Sequence, residues 1–347
     1  MKLIFDIGHP AHFHLFKNAF LYFEAEGHSC LFTVRSKDTI IQLLKNYNFP
    51  YVIASKPRTG FLGLFIELIE HNFNVLVVSL KFKPDFIVGT SVSASHICPL
   101  IGCKSIIFNE DDYDYVKLFT YITYPTADYI VIPDVLRDPY SYKQIRHNSL
   151  HELSYLHPDN FSFNSKHLVN LNIKRNYPFI LFRIVSLKAH HDIGHKGLSL
   201  DLLRKIIKLF KSKVSILMSF ENDCPPEFSE YNFSAPPHHM HSILQRADLF
   251  ISDSQTMSTE AVILGTPAIR VNTFKNLCSI INQIEIDYEL IFSFQPNEEL
   301  SILIILTKLL EDIQFKKDWN YRHKQFLSSK DDFNKTIIKI IETLGDY

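Results

Sequence analysis

Phosphate is held by hydrogen-bond donors that have no other partner, and the stretch Ile251–Arg270, ISDSQTMSTEAVILGTPAIR, is patterned to supply them. Leu249–Ile251 reads as a buried parallel strand, Ser252–Thr256 as a small polar turn, and Met257–Leu264 as a helix. Gly265 and Pro267 stop that helix, and Ala268–Val271 restarts as a strand. A turn between a strand end and a helix start offers free backbone N–H groups and a positive dipole end. Glu260 follows one turn into the helix, where its carboxylate could accept from both hydroxyls of a ribose. Ser254, Gln255, Thr256 and Glu260 therefore predict a nucleotide-diphosphate site, and most simply one for a nucleotide-sugar. The alternative is an ordinary capped helix with Ser252 or Asp253 as the cap. The strand restart after the helix favours the site.

Other residues could act beside it. Gly8-His9-Pro10-Ala11-His12-Phe13-His14 follows the first apolar strand, and a neutral imidazole there could take a proton from an attacking hydroxyl. The plainer reading has Pro10 shaping a turn while His12 or His14 caps or packs against the first helix. Arg183 sits inside the apolar strand Phe179–Val185, where a charge must be paired, either with a carboxylate or with a donor phosphate. Lys188, His190, His191 and Asp192 follow it, without zinc spacing. Glu110-Asp111-Asp112-Tyr113-Asp114 contains an Asp-x-Asp triplet, which reads either as an oxygen-ligand metal motif or as an acidic helix start. Pro237–His241 precedes a short helix and could frame a nucleotide base.

These residues need strands and helices to hold them. Strands are expected at Leu3–Ile7, Ser29–Arg35, Tyr51–Ala54, Phe86–Val88, Ser105–Phe108 and Tyr129–Ile132. Helices lie between them, the first from about Leu15 to Glu26. A polar stretch, His157–Tyr177, separates this series from a second one. That series has strands at Phe179–Val185 and Val214–Met218, a helix at Ser199–Lys211, and terminal helices after Leu300. Strands alternating with helices imply parallel pairing. The expected fold is α/β, with two Rossmann-like domains, 1–160 and 161–347, facing a central cleft. The last helix is placed to pack back on the first domain. Gly8, Gly89 and Gly265 adjoin strands, where a turn or a close backbone approach calls for glycine.

Composition limits the function. The 347 residues carry a formal net charge of −1, which gives no electrostatic footprint for nucleic acid. Five cysteines without CxxC spacing read as reduced cytosolic thiols. Asp6 breaks the first apolar run too early for a signal-peptide core. Phe61–Phe82 is apolar, but Glu67, Glu70, His71, Asn72 and Asn74 interrupt it, and a membrane span needs about 20 nearly unbroken apolar residues. It reads as one or two amphipathic helices and as a surface for peripheral membrane contact.

With these residues in view, the chain resembles an uncharacterised family, defined as a domain of unknown function and grouped with the GT-B glycosyltransferases. The motifs that carry the resemblance are DIGHPAHFHLFKN (Asp6–Asn18), HELSYLHP (His151–Pro158), FRIVSLKAHHDIGHKGLS (Phe182–Ser199) and SDSQTMSTEAVILGTPAIR (Ser252–Arg270). The last motif is also similar to those of the peptidoglycan lipid-intermediate glucosaminyltransferase and the UDP-N-acetylglucosamine 2-epimerases. In both, a Ser/Gly-rich turn holds diphosphate and a following glutamate holds ribose, and here the usual glycines are Gln255 and Thr256. The resemblance implies a base role for His12, with His9 second, and a carboxylate role for Glu110 if the reaction is epimerisation. It implies a cytoplasmic, metal-independent transferase without a cofactor. Sugar would pass from a nucleotide-sugar held by Arg183, Ser254, Gln255, Thr256 and Glu260 to a surface-glycan or lipid-linked acceptor. The rivals are a nucleotide-sugar 2-epimerase and a non-catalytic nucleotide-sugar-binding subunit.

Overall fold

A computed structural model describes residues 1–139, 142–169, 171–174, 177–185, 197–273 and 278–346. The chain forms two compact units, one of Met1–Asn160 with Asp331–Tyr347 and the other of Phe161–Lys330.

The first unit is a seven-stranded sheet in the order β3-β2-β1-β4-β5-β6-β7. Its strands are β1 (Lys2–Ile7), β2 (Ser29–Arg35), β3 (Tyr51–Ser55), β4 (Phe86–Gly89), β5 (Lys104–Phe108), β6 (Tyr129–Pro133) and β7 (Gln144–His147). Every pairing is parallel. The strand order reverses between β1 and β4, a topological switch point that leaves a crevice beyond the strands' carboxyl ends. Helices α1 (Pro10–Ala25) and α2 (Asp38–Asn46) pack together, while α3 (Gly60–Phe82), α4 (Val92–Ile101) and α5 (Lys117–Thr123) form a second group. The short α6 (Leu153–Leu156) packs on α1. Phenylalanines fill the α1 side: Phe5, Phe16, Phe20 and Phe32 are wholly buried, and Phe20 stacks on Phe32 at 4.6 Å between ring centroids. Fully burying such a ring stabilises by roughly 2–3 kcal/mol.

The second unit has a five-stranded sheet, β12-β11-β10-β8-β9, also all parallel. Its strands are β8 (Phe179–Ile184), β9 (Ser215–Phe220), β10 (Leu249–Ser252), β11 (Ala268–Val271) and β12 (Ile291–Phe294). The switch point falls between β8 and β10. Its helices include α7 (Leu200–Phe210), α8 (Met240–Arg246), α9 (Gln255–Ile263), α10 (Ser279–Ile286), α11 (Glu299–Glu311) and α12 (Ile313–Ser328). Ser199 caps α7 by accepting the Leu202 N–H at 3.1 Å. Helix α13 (Phe333–Gly345) belongs to the first unit and packs on α1 and α6.

Several local expectations change. Pro10 does not end a loop; it occupies the first turn of α1, where its missing N–H costs nothing, so the helix starts five residues earlier than the apolar period suggests. Helix α9 begins at Gln255 because Ser254, and not Ser252 or Asp253, is the cap. Cys98 and Cys103 are joined in a disulfide, not free: Gly102, at φ +76°, ends α4 and turns the chain so that the two Cα atoms lie 4.7 Å apart. Gly89 permits a close approach, since a Cβ there would lie 2.5 Å from the Asp6 carbonyl oxygen. Gly265 takes a positive φ of +90°, whereas Gly8 meets neither demand.

Candidate functional site

In the second unit the switch point carries the motif with which the sequence argument began. Ser252 pairs in register with Arg183 of β8 on one side and Arg270 of β11 on the other. Residues in one register row share a face of the sheet, so both arginines rise beside the turn that leads into α9. Arg183 donates from Nη1 to Ser219 Oγ at 2.7 Å, and its Nε is buried without a hydrogen-bond partner among the described residues. Arg270, 1% exposed, donates from Nε to Ser293 Oγ at 3.1 Å and from Nη1 to Gln255 Oε1 at 2.9 Å. Among the described residues their hydrogen bonds thus end on neutral oxygens. Burial lowers the pKa of both; Glu221 and Asp253 oppose this for Arg183, and Cys278 and Glu285 for Arg270. Starting above 12, both guanidiniums stay charged.

The turn itself is tightly tied. Ser252 Oγ donates to the Arg183 carbonyl at 2.8 Å and accepts the Ser254 N–H at 2.9 Å. Ser254 Oγ accepts the Met257 N–H at 3.3 Å, and Ser254, Gln255 and Thr256 are half-buried. Asp253 is buried and accepts the Val185 N–H at 2.8 Å. Burial pushes its pKa up to about 6, against the pull of backbone N–H groups, that of Leu198 among them, and of Arg183. Gly197 makes room for this carboxylate, because a Cβ there would lie 2.3 Å from Asp253 Oδ2. Lys188, His190, His191 and Asp192 lie outside the described residues.

Glu260 is buried and lies 3.2 Å through Oε1 from His241 Nε2. That histidine closes the Pro237–His241 motif, whose other rings are engaged too: His239 stacks on His167 at 4.0 Å and His238 meets His239 edge-on. Arg270 was visible in the sequence by the argument used for Arg183, a charge inside an apolar strand, but had been given no role.

In the first unit the switch point gathers imidazoles. His9 is the cap of α1, its Nδ1 accepting the Ala11 N–H at 3.3 Å. His14 is buried, its ring 5.2 Å from that of Tyr155. His12, in the first turn of α1, crosses the switch point to Thr90, with Nδ1 2.6 Å from Oγ1. The Gly8 N–H also approaches Nδ1, at 3.4 Å. A backbone N–H can only donate, so this longer contact favours the Nε2–H tautomer, whereas the shorter Thr90 contact allows either, its hydroxyl donating to Nδ1 or accepting from Nδ1–H. For Nε2 to serve as base, the ring must take the other tautomer, with Nδ1–H donating to Thr90 Oγ1. Burial lowers the His12 pKa to about 3, helped by His9 and Lys37 and opposed by Asp6. The ring is neutral at physiological pH.

Beneath it lies a network that the sequence did not announce. Asp6, wholly buried at the end of β1, accepts from Thr33 Oγ1 at 2.7 Å, from Ser91 Oγ, and from His71 Nε2 at 2.9 Å. His71 Nδ1 meets Ser55 Oγ at 2.8 Å. Burial opposes charge on both Asp6 and His71, but their mutual attraction and hydrogen bonds prevail: Asp6 is lowered and His71 raised. The pair is an ion pair beside the loop that carries Thr90.

Glu110, just past β5, is joined by a residue that had no assigned role. His151 of the HELSYLHP motif lies 3.1 Å through Nδ1 from Glu110 Oε2. Burial, then the nearby His147 and His12, holds His151 well below its ordinary pKa, so the contact is a neutral N–H donated to the carboxylate. The Asp-x-Asp residues do not converge: Asp112 accepts the Arg137 N–H at 3.0 Å, and Asp114 pairs with Lys117 at 3.1 Å. His157, Asp159 and Asp332 do gather ligand atoms within 4.8 Å, but the Lys335 ammonium already lies 3.0 Å from Asp159 and 3.4 Å from Asp332.

Two α/β units, each built on a parallel sheet, give the chain a GT-B-like fold. Several solved structures share this fold over their whole length. The spinosyn forosaminyltransferase SpnP is 11% identical, with 100% of both chains covered and a TM-score of 0.68. S. aureus MnaA, solved with UDP, is 12% identical over 99% of this chain and 97% of that one, at 0.70. The UDP-GlcNAc 2-epimerase of Neisseria meningitidis, bound to UDP-GlcNAc, is 12% identical over 100% of both chains, at 0.67. At such identities the likeness is one of fold. The chain belongs to the family described as a protein of unknown function, DUF354, which it matches over residues 1–338. Among curated proteins none matches it by sequence.

Proposed function

We propose that this protein is a glycosyltransferase that takes a sugar from a nucleotide-sugar and passes it to a glycan or lipid-linked hydroxyl. The observation that carries the reading is the register row Arg183–Ser252–Arg270, two guanidiniums with neutral hydrogen-bond partners beside the N-terminus of α9. A diphosphate is the anion this arrangement suits, with Ser254, Gln255 and Thr256 at the helix end. The two guanidiniums and the helix terminus would stabilise the diphosphate as it leaves, so the reading requires no metal. Glu260 would exchange His241 for the ribose hydroxyls. His12, neutral and oriented by Thr90, would take the acceptor proton. This would need no cofactor beyond the donor itself.

A second reading rests on Glu110 and His151. A carboxylate oriented by a neutral imidazole is an acid–base group of the kind a 2-epimerase needs. Replacing Glu110 with Gln separates the two, abolishing epimerisation while a transferase that uses His12 keeps most of its rate.

The test is a thermal-shift and turnover panel of UDP-, GDP-, CDP- and dTDP-sugars. One nucleotide class should raise Tm by about 5 °C or more at a hundred-fold excess over Kd. Arg183→Met and Arg270→Met should each weaken that nucleotide about ten- to hundred-fold. If no nucleotide shifts Tm, the reading fails. Binding without turnover, even with a native acceptor extract, would identify a binding subunit instead of an enzyme.

A further inference from the structure

Helix α3 is built inside out. It is 23 residues long, and the most apolar 18-residue window within it has a mean hydropathy of 1.5 and is only 17% buried. The residues it buries are Glu67, His71, Val75 and Ser79, an i, i+4 stripe that is mostly polar. Glu67 is paired with Arg35 and accepts the Arg58 N–H at 2.8 Å, and His71 is the partner of Asp6. Outward instead point Leu62, Phe65, Ile66, Ile69, Phe73 and Leu80, all exposed, with Phe73 at 62%. At 100° per residue these six fall within about 60° of one line, a continuous apolar ridge on the wrong side for a globular core. Helix α4, which packs on α3, and α5, which packs on α4, expose further apolar side chains, Leu100, Leu118 and Tyr121, to 69%, 65% and 58%.

Lysines flank the two ends of α3, while near α5 the exposed Asp114 pairs with Lys117 at 3.1 Å. The helix's own acids are neutralised, Glu67 by Arg35 and Glu70 by Arg58 at 2.8 Å. Lys56 near its start and Lys81 and Lys83 at its end are exposed. Asp85, two residues past Lys83, accepts the Lys2 N–H at 2.7 Å. The helix cannot cross a membrane, because β3 and β4 hold its two ends in one sheet. It can lie along one: 23 residues extend about 35 Å, and an apolar face flanked by lysines fits the boundary between acyl chains and anionic headgroups.

We propose that the outer face of α3, continued by α4 and α5, docks this protein on an anionic lipid bilayer. The inference is independent of the transferase reading, since it uses none of the residues assigned to the donor or the acceptor.

Sedimentation of the full chain with vesicles tests it. Vesicles of phosphatidylcholine with about one-third phosphatidylglycerol should retain the protein, and pure phosphatidylcholine should retain it at least ten-fold less. The triple variant Phe65→Ser, Ile69→Ser, Phe73→Ser should lose binding about a hundred-fold while keeping the parent's circular dichroism and Tm. Lys81→Ala with Lys83→Ala should cost about five-fold per lysine, on anionic vesicles only. Failure to bind either vesicle, or a triple variant that binds like the parent, overturns the proposal. So does a stable dimer in solution that the triple variant abolishes, since that would assign the ridge to a second copy of the chain.

Discussion

Asp6 and Asp253 each lie buried beside the switch point of their own unit, yet their surroundings differ. Asp6 faces a cation, His71, and two hydroxyls, and is held ionised. Asp253 is held mainly by backbone N–H groups and sits with its pKa raised to about 6. The neighbours follow suit. Around Asp6 stands a neutral imidazole, His12, whose pKa burial lowers to about 3. Around Asp253 stand Arg183, Arg270 and a helix N-terminus, fit to hold an anion. One topological device, repeated, thus carries two different linings, a neutral imidazole in one unit and two guanidiniums in the other.

The sharpest way to break this comparison is to remove the imidazole. His12→Ala should lower kcat by about 10²–10⁴ and leave donor KM nearly unchanged. Steady-state kinetics showing the loss in KM instead would move His12 to the binding side.

Next in size is the buried ion pair. His71→Leu leaves Asp6 without its cation and should cost about 3–5 kcal/mol in urea unfolding. The pH signs are fixed by the shifts. His71 is raised, so its contribution is complete below its ordinary pKa of 6.5 and is lost as pH rises through the raised value. Asp6 is lowered, so its contribution is complete above 3.8 and is lost only as pH falls through the depressed value. The stability gap between parent and variant should therefore be widest near pH 4–6.5 and narrow in stronger alkali. A gap independent of pH would mean a packing defect.

Asp253 should behave oppositely. Its raised pKa means its stability is complete below 3.8 and is lost as pH rises through about 6. Relative to the parent, Asp253→Asn should gain up to about 3 kcal/mol between pH 4 and pH 7. A flat difference would show that the backbone N–H groups alone keep this carboxylate ionised.

The smallest effect is at Thr90. Thr90→Val removes the hydroxyl from His12 Nδ1 and should shift the ring toward the Nε2–H tautomer, read from imidazole ¹⁵N shifts, with about a three- to ten-fold loss of kcat. An unchanged tautomer ratio would remove Thr90 from the machinery.

Much of the fold was legible because alternation and short apolar runs leave local signals: β1, β2, β5, β8 and β10 fall within a residue or two of expectation. What was missed was short or lay off the main pattern. Strands β7 and β12 are four residues each, and α5 has little apolar period. The start of α1 was hidden because histidine is an uncommon cap and Pro10 reads equally as a turn. In the site, Ser254 and Arg183 announced themselves by local context. Asp6 and His71 are 65 residues apart, and Glu110 and His151 are joined only in the fold, so no window contained either pair. Periodicity showed that α3 is two-faced, but not which face looks inward.

That inversion bears on how the chain reaches its native state. A helix whose inner stripe is Glu67, His71, Val75 and Ser79 has little hydrophobic reason to dock. It is drawn in by partners from distant segments, Arg35 on β2 and Asp6 on β1, which must already be in place. Until then the undocked helix is free to seek other company, and a chain in that condition is an aggregation hazard. The helix is thus tied to its sheet by two charged contacts, Glu67 with Arg35 and His71 with Asp6, more than by apolar packing.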